Sequence, residues 1–472
     1  MKHLITILFL LLIFRSGSLA QSLPNGFDMA LDKKSKDVRC VPCGENGFCV
    51  VEEAQNRKYH RLKISHVDTA MHRQWDTTLN LSQTTRFQQV FYEDGTLVVM
   101  TIPRIIPKPV VLQEQPTIFL YHTDSRRMES REVTGLEALS PISDCHYYQG
   151  NIIFKSVKAS GDVVWFLPDG SSEPIPFTFT QENHGRALSI DVDTVRGGPV
   201  ICFNSGERTM YFETDFRGKS SFANIIGEPS TQAQWIPISR NHSVLMLYYH
   251  DEETFFMHPV NIMNHRVMPA DTVYCADIAV PKSLPNGVSG KRMIIVVPYN
   301  YISFYPTHAA LGDGKISYVT ELYCPEYVNH FNGWYVEPRF AGYRYERADV
   351  HFFDTNGVFL TNVTYPYSED KSVRSSIYKI LNVSYLPNGD ILLYHLVSRE
   401  FTTMLLDRDC VLKTPISTAD IPIQHSSDSG RYKTVPVSMQ QWYGNRFLLT
   451  SHLVRLGSQR KVGISVRKLE YN

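Results

Sequence analysis

The sequence predicts an all-β chain, and two observations support this prediction. Apolar residues alternate with polar ones or form short runs bounded by Gly, Pro, Asn and Asp, as in strands that end in tight turns. The chain also contains 26 Tyr and 25 Phe, which fit pleated, half-buried surfaces. No stretch of the chain shows the apolar period of an amphipathic helix that would argue for another fold class.

A recurring order of strands and turns narrows the fold class. In the clearest copy, at Ile380–Pro415, a strand leads through the turn Pro387-Asn388-Gly389-Asp390 to an apolar strand, and a third strand and a weaker fourth follow. The turn residues tolerate the positive φ of a tight hairpin. The same order begins at Gln89 and at Cys145. Looser copies begin near Leu188, Gln234, Val273, Tyr323 and Ser438.

The spacing of these copies predicts a β-propeller. Successive copies start roughly 40–60 residues apart, the size of one four-stranded blade. We predict a single ring of about eight blades, and seven is the alternative because the unit at Tyr323–Thr364 is irregular. The C-terminal strands are expected to pair with the hairpin at Leu62–Leu79, so that both chain ends close the ring. Tandem β-sandwiches are the structural runner-up, although they do not predict the repeated order.

The start of the chain predicts a signal peptide. A basic Lys2 precedes an apolar run from Leu4 to Phe14, and small residues follow at Ser18 and Ala20. An uncleaved anchor is the alternative, but a membrane span needs roughly 20 apolar residues, more than this run contains. The predicted organisation is a signal peptide at 1–20, a polar, disulfide-pinned segment at 21–56 and the propeller at 57–472.

Glycosylation and secretion are expected together. Four Asn-x-Ser/Thr sequons occur, at Asn80, Asn241, Asn362 and Asn382. With a signal peptide they predict a secreted glycoprotein that has no membrane span after cleavage. Lysine plus arginine and aspartate plus glutamate both number 47, so the formal net charge is zero. Because there is also no basic run, nucleic acid and acidic lipid are not expected as partners.

Three of the eight cysteines lie close together, at Cys40, Cys43 and Cys49. Their segment resembles the C-G-x-N-G-x-C ending of an epidermal-growth-factor-type module. In an oxidising compartment such cysteines are expected to form disulfides. The C-x-x-C spacing also suits zinc, but no second Cys or His pair follows at finger spacing, so no metal is predicted.

Two further cysteines predict a disulfide between neighbouring blades. Cys145, Cys275 and Cys324 occupy similar places near the start of the first strand of a unit. The first strand of a propeller blade lines the central channel, so Cys275 and Cys324 would lie on adjacent blades at matching height. We therefore predict a Cys275–Cys324 disulfide, with a metal or thiol site in the channel as the alternative.

Candidate catalytic residues are few. The chain lacks the nucleophile elbow, the H-E-x-x-H zinc motif and a phosphate-binding glycine loop. Asp277 and Glu326 each follow a predicted channel cysteine by two residues and could serve as a carboxylate pair for sugar chemistry. His146 lies nearby in the pattern. Solvated channel carboxylates are the alternative interpretation of this pair.

Aromatic clusters at strand entrances and turns are the candidate ligand contacts, because aromatic side chains commonly anchor binding surfaces. Packing between blades is the alternative role for each. The candidates are Tyr147, Tyr148, Tyr301, Trp334 and Tyr335.

These observations predict an extracellular binding module that presents a propeller face to a protein or glycan, without a cofactor. The alternative is a secreted hydrolase or lyase with its active site in the central channel. The absence of catalytic motifs favours the binding module.

Overall fold

The structure is a computed structural model, and most of the residues that it describes lie in β-strands. It describes residues 26–103, 115–135, 142–158, 161–177, 185–250, 254–269, 273–277, 303–331, 336–367, 373–374, 379–397, 400–421, 432–455 and 460–471. Within these ranges the helical content is a single 3-10 turn, Gly44–Asn46. None of the described residues belongs to a helix with the length and apolar character that crossing a membrane requires.

The described strands form eight antiparallel sheets, each a blade of four strands, and two blades carry an additional short strand. The first strand in the chain, β1 (Gly26–Ala30), belongs to the eighth blade. Blade 1 contains β2 (Ser35–Pro42), β3 (Phe48–Gln55), β4 (His60–Val67) and β5 (Arg73–Leu81), and blade 2 contains β6 (Thr85–Glu93), β7 (Thr96–Pro103), β8 (Thr117–His122) and β9 (Arg127–Glu132). Blade 3 contains β10 (Ile142–Tyr148), β11 (Asn151–Lys158), β12 (Gly161–Leu167) and β13 (Ile175–Pro176), and blade 4 contains β14 (Gly185–Asp193), β15 (Gly198–Ser205), β16 (Arg208–Thr214) and β17 (Ser220–Gly227).

The second half of the ring continues in the same order. Blade 5 contains β18 (Gln232–Ser239), β19 (His242–His250), β20 (Thr254–Met263), β21 (Arg266–Pro269) and the additional β22 (Val273–Asp277), which pairs with β20. Blade 6 contains β23 (Ser303–Gly312), β24 (Lys315–Phe331), β25 (Val336–Asp354), β26 (Phe359–Pro366) and the additional β27 (Val373–Arg374), which pairs with β25. Blade 7 contains β28 (Asn382–Tyr385), β29 (Ile391–Val397), β30 (Glu400–Leu406) and β31 (Leu412–Asp420). Blade 8 contains β32 (Tyr432–Tyr443), β33 (Arg446–Arg455), β34 (Lys461–Glu470) and then β1.

The core lies between the blades and closes the ring. Eight clusters of buried apolar side chains occur, and each draws its members from two neighbouring blades. One of the eight joins blade 8 to blade 1, so no blade has an uncovered face at the closure. Every residue of β7, the second strand of blade 2, is buried, so this strand is covered on both faces. The predicted propeller is therefore confirmed with eight blades, and the β-sandwich alternative is excluded.

Both chain ends close the ring, but with a different strand from the one that the sequence predicted. β1 pairs antiparallel with β34, with Phe27 opposite Val466 and Met29 opposite Ile464. Phe27 and Met29 are buried between blades 8 and 1, while Gly26, Asp28 and Ala30, which alternate with them, are exposed. The hairpin Leu62–Leu79 instead belongs to β4 and β5 of blade 1. The sequence pattern placed the start of the propeller at residue 57. The structure has strands of the ring upstream of that residue.

Candidate functional site

One end of the ring collects hairpin turns from all eight blades. In blades 1 to 7 the strands reverse direction in succession, so the turn between strands one and two and the turn between strands three and four lie at the same end. We call this end the hairpin mouth. From blade 8 through blade 1 to blade 7, successive first strands lie beside one another and line the central channel.

A cleft opens at the hairpin mouth between blades 4 and 5. It has a volume of about 690 Å³, which is within the usual range of ligand sites. Two turns of blade 4, at 193–198 and 214–220, and two turns of blade 5, at 239–242 and 263–266, form its walls. Its charged and amide side chains are Asp193, Arg196, Glu213, Asp215, Lys219, Arg240, Asn241, Asn264 and His265.

The floor of the cleft is an ionic network centred on Glu213. This carboxylate is buried and forms an ion pair with Arg196 through a short contact. Its other oxygen lies 2.8 Å from Nδ1 of His265. Tyr211 donates its hydroxyl to Glu213 at 3.0 Å. Burial raises the pKa of Tyr211, and the charge of Glu213 raises it further, so the phenol remains a donor. The Glu213 carboxylate is therefore held by three side chains.

Arg196 connects this floor to both walls. Its Nε lies 3.3 Å from Oδ2 of Asp193 and donates to the backbone oxygen of Arg240 in blade 5 at 2.8 Å. Asp193 is only 1% exposed and accepts the backbone N–H groups of Val195 and Arg196, both at 3.0 Å. The Asp193 side chain thereby shapes the turn that carries Arg196. These contacts make the floor rigid before any ligand arrives.

The turn that carries His265 has an uncommon backbone. Asn264 and His265 both have positive φ, 50° and 59°, between β20 and β21. Two consecutive positive φ values are typical of a type I′ hairpin turn, and asparagine tolerates this conformation well, whereas histidine adopts it at some energetic cost. The turn places the imidazole of His265 beside Glu213, across the blade interface.

The rim of the cleft is cationic. Lys219 and Arg240 are both exposed at its edge. Within the described ranges, no carboxylate forms an ion pair with either side chain. Asp215, their acidic neighbour, accepts the N–H groups of Arg217 and Lys219 at 2.9 Å and so caps its own turn. The arrangement offers two solvent-facing donors above a floor whose carboxylates are already paired, which suits a ligand with acceptor oxygens.

A second ionic cluster lies in the channel around His146. Its Nδ1 is 3.0 Å from Oε1 of Glu93 and 3.9 Å from Oδ1 of Asp191, and its Nε2 is 3.6 Å from Oδ1 of Asp144. Glu93 belongs to blade 2, Asp144 and His146 to blade 3, and Asp191 to blade 4. Because the histidine reaches both neighbouring blades, it lies at the inner side of the ring, where the first strands converge.

The protonation of this cluster follows from its surroundings. Burial alone would lower the pKa of His146, but hydrogen bonds to Asp144 and Glu93 and the charges of Glu93 and Asp191 raise it to about 11. Burial raises the pKa of Asp191 to about 6, although the His146 charge opposes that rise. At neutral pH His146 is an imidazolium engaged at both nitrogens. It therefore lacks the free lone pair that a general base needs.

The His146 cluster predicts a pH-dependent contribution to stability. The pKa of His146 is higher in the folded state than in the unfolded chain, so its stabilising effect is full below about pH 6.5 and disappears as the pH rises towards 11. We expect His146→Gln to lower the free energy of unfolding by about 2 kcal/mol at pH 6, and to lower it much less at pH 10. Urea unfolding of both proteins at the two pH values measures this. His72→Gln, at an exposed histidine, is the control. An equal difference in the free energy of unfolding between wild type and His146→Gln at the two pH values would contradict the assignment of His146 as an imidazolium.

The aromatic candidates have different positions. Tyr147 is buried between blades 2 and 3, so it packs in the core and does not present a binding surface. Tyr148 is half-buried, stacks on Phe216 and donates its hydroxyl to the backbone oxygen of Thr194 at 3.2 Å. It therefore supports the blade 4 turn that carries Arg196. Tyr301, Trp334 and Tyr335 lie outside the described residues.

The three cysteines predicted on first strands lie on strands of different position within their blades. Cys145 lies on the first strand of blade 3, as expected. Cys275 lies on β22, which pairs with the third strand of blade 5, and Cys324 lies on the second strand of blade 6. The side chains of both are outside the described part, and their disulfide stays a prediction.

Asp277 and Glu326 share the strands of these two cysteines. Asp277 ends β22, and Glu326 lies within β24, so neither is on a first strand. Their side chains are likewise not described. The strand positions do not support the predicted carboxylate pair in the channel.

The sequons differ in accessibility. Asn80, Asn241 and Asn362 are exposed. Asn382 is half-buried on the first strand of blade 7, and its amide donates to the backbone oxygen of Ile380 at 3.2 Å. Asn241 also lines the cleft between blades 4 and 5, which a glycan there would fill. Since glycan transfer needs an accessible amide nitrogen, Asn80 and Asn362 are the better acceptors.

Sequence reasoning did not identify the cleft residues. Arg196, Glu213, Lys219, Arg240 and His265 come from turns or strand ends of two consecutive units that begin near Leu188 and Gln234. A usable signal was present, because charged residues recur at the hairpin turns of both units. Their convergence depends on how the two blades pack.

Comparison with known proteins assigns this chain to no family. No family model matches the chain, and no curated protein matches it. Solved structures that resemble it include the Dos1 propeller, at 8% identity and a TM-score of 0.43, covering 95% of this chain and 96% of that one. Another is the β-propeller domain of the Trilobed protease from Pyrococcus furiosus, at 8% identity and a TM-score of 0.38, covering 83% of this chain and 97% of that one. The polysaccharide lyase Uly1 is similar at 7% identity and a TM-score of 0.38, covering 81% of this chain and 89% of that one.

Proposed function

We propose that this chain is a secreted glycoprotein that acts as an extracellular binding module, and that its ligand, a protein or a glycan, binds in the cleft between blades 4 and 5. The observation that carries the proposal is the cleft itself. It combines a volume of about 690 Å³ with a rigid ionic floor and a cationic rim. A cleft of this size accommodates a short saccharide or a loop of a partner protein.

The electrostatics of the cleft support binding through acceptor groups. Glu213 and Asp193 are already paired with Arg196, so the floor is a fixed arrangement of two carboxylates and one guanidinium. The exposed donors of Lys219 and Arg240 are then the groups available for ligand carboxylates, sulfates or hydroxyls. A preorganised floor reduces the entropy that is lost when the ligand binds.

Secretion is proposed from the N-terminal sequence and the exposed sequons. Expression in animal cells tests it: we expect the protein in the medium, with a mature N-terminus after Ala20 and a mobility that shifts on treatment with an N-glycosidase. Asn80→Gln and Asn362→Gln should each remove one glycan, whereas Asn382→Gln should remove none. Retention of an unglycosylated protein inside the cell would overturn this part of the proposal.

Affinity capture tests the binding site. The secreted protein is immobilised, exposed to its native fluid and to a glycan panel, and compared with the Lys219→Ala/Arg240→Ala double variant. We expect the double variant to bind the ligand at least about tenfold more weakly, since a hydrogen bond to a charged group contributes about 1.5–3 kcal/mol. Arg408→Ala, in the equivalent turn between β30 and β31 of blade 7, is the matched control. Equal binding by wild type, double variant and control would place the ligand elsewhere.

A further inference from the structure

The three clustered cysteines lie on opposite faces of blade 1. Side chains alternate between the two faces of a strand. Cys40 packs into the core between blades 8 and 1. Cys43 and Cys49 both pack into the core between blades 1 and 2. The blade itself therefore separates Cys40 from the other two thiols.

Cys43 and Cys49 are in direct contact. Their sulfur atoms are 3.7 Å apart, and both side chains are buried. The two residues flank the turn between β2 and β3, where Cys43 donates its backbone N–H to the oxygen of Gly47 at 2.8 Å. Gly47 has a φ of 101°, and a Cβ there would meet the backbone oxygen of Val67 at 2.0 Å, so the tight turn requires glycine. Of the three thiols, these two lie where an S–S bond can form.

The turn that these two cysteines flank joins three blades. The Asn46 amide donates to the hydroxyl of Tyr92 in blade 2 at 3.0 Å. The backbone oxygen of Asn46 accepts from His66 of blade 1 at 2.7 Å. The oxygen of Gly47 accepts the indole N–H of Trp442 in blade 8 at 2.7 Å. Constraining this turn therefore constrains the place where the ring closes.

We propose that Cys43 and Cys49 form a disulfide that fastens this turn at the ring closure, and that Cys40 remains a thiol. The inference rests on the secretion part of the proposed function, because the secretory pathway supplies the oxidant, a protein disulfide. In the exchange the two cysteines lose two protons and two electrons and form one S–S bond, and the disulfide of the oxidant is reduced to two thiols. Burial raises the pKa of the Cys49 thiol, so the exchange takes place during folding, before the turn is covered.

Peptide mapping of the secreted protein distinguishes the possible pairings. The protein is denatured without reductant, alkylated with iodoacetamide and cut with trypsin and with a protease specific for glutamate. Cleavage after Arg39, Glu45 and Glu52 gives peptides 40–45 and 46–52. We expect these two peptides to be linked, with the alkyl group on Cys40. An alkyl group on Cys43, a bond within peptide 40–45, or three alkylated cysteines would overturn the pairing.

A refolding experiment separates this inference from the question of secretion. The denatured, reduced protein is refolded in a glutathione redox buffer and mapped in the same way. If the chain is retained in the cell but refolding forms the Cys43–Cys49 link, the secretion proposal fails and the pairing stands. If the chain is secreted and neither preparation contains the link, the pairing fails and the proposed function stands.

Thermal unfolding tests what the bond does. Cys43→Ala, Cys49→Ala and the double variant should each lower the melting midpoint of the oxidised protein by roughly 2–6 °C, and by similar amounts, because each removes the same bond. Cys40→Ala is the control and should retain the link in the peptide map. With reductant, the melting midpoint of the wild type should fall most of the way to that of the variants. Additive losses from the two single variants would contradict a shared bond.

Discussion

Replacing Met29 by aspartate is expected to lower the free energy of unfolding by about 4–6 kcal/mol, because it removes an apolar side chain from the core and buries an unpaired charge. Met29 is 2% exposed, and its sulfur accepts the hydroxyl of Ser65 at 3.6 Å. It lies on β1, the strand that completes blade 8, within the cluster that joins blade 8 to blade 1. Urea unfolding followed by tryptophan fluorescence measures the loss.

The control for this prediction is the same substitution one residue later. Ala30 lies on the same strand and is exposed, so Ala30→Asp should change the free energy of unfolding by less than about 0.5 kcal/mol. If both substitutions have equally small effects, β1 does not close the ring in solution. If both unfold the protein, the strand tolerates no charge, and the assignment of its buried face is wrong.

Glu321→Ala is expected to have the second largest effect, a loss of about 3–5 kcal/mol, because it leaves three buried donors without an acceptor. Glu321 is fully buried in blade 6 and accepts the hydroxyl of Tyr367 at 2.6 Å. It also accepts the backbone N–H groups of Ile380, at 2.9 Å, and Leu381, at 2.7 Å. Since those residues lead into blade 7, the carboxylate connects two blades.

Two comparisons make this prediction specific. Glu321→Gln keeps one acceptor oxygen and should lose about 1–2 kcal/mol, roughly half of the alanine effect or less. Glu207→Ala, at an exposed glutamate between β15 and β16, should have almost no effect. Chemical denaturation of the three variants measures the series. A loss from Glu321→Gln as large as that from Glu321→Ala would mean that the acceptor role is not what stabilises the blades.

The repeated strand order was sufficient to predict eight blades, although one unit counted in excess, near Val273, compensated for the missed first blade. The unit predicted near Tyr323 lies within blade 6, where β24 and β25 are 17 and 19 residues long and extend past the rest of the sheet. A shift in register between Leu322 and Tyr323 makes the extension resemble a new strand. The unit predicted near Val273 is the additional strand of blade 5. Local patterns cannot distinguish a long bulged strand from two short ones.

The first blade was missed for a related reason. β2 has the sequence Ser-Lys-Asp-Val-Arg-Cys-Val-Pro, and most of its residues are only partly buried, because a first strand borders the channel. Its polar composition therefore predicted a polar segment outside the propeller. β1 is only five residues long, and its pairing with β34 joins the two ends of the chain, which no local pattern reveals.

The cleft could not be predicted from the sequence because its parts are distant along the chain. The ion pair between Arg196 and Glu213 lies within one blade, but His265 and the Arg240 backbone come from the next. Their approach depends on the packing of blades 4 and 5 through Tyr211 and Trp235, whose rings stack at 5.3 Å. Sequence patterns locate turns, and the angle between two blades then decides which turns meet.

Amide hydrogen exchange, with and without the captured ligand, tests most directly whether the cleft between blades 4 and 5 is the binding site. The ligand should slow exchange in residues 214–220 and 263–266, which form the two walls of the cleft. Exchange in residues 407–411, the equivalent turn of blade 7, should not change. Slower exchange confined to the turn of blade 7, or to any surface away from blades 4 and 5, would contradict the proposed site.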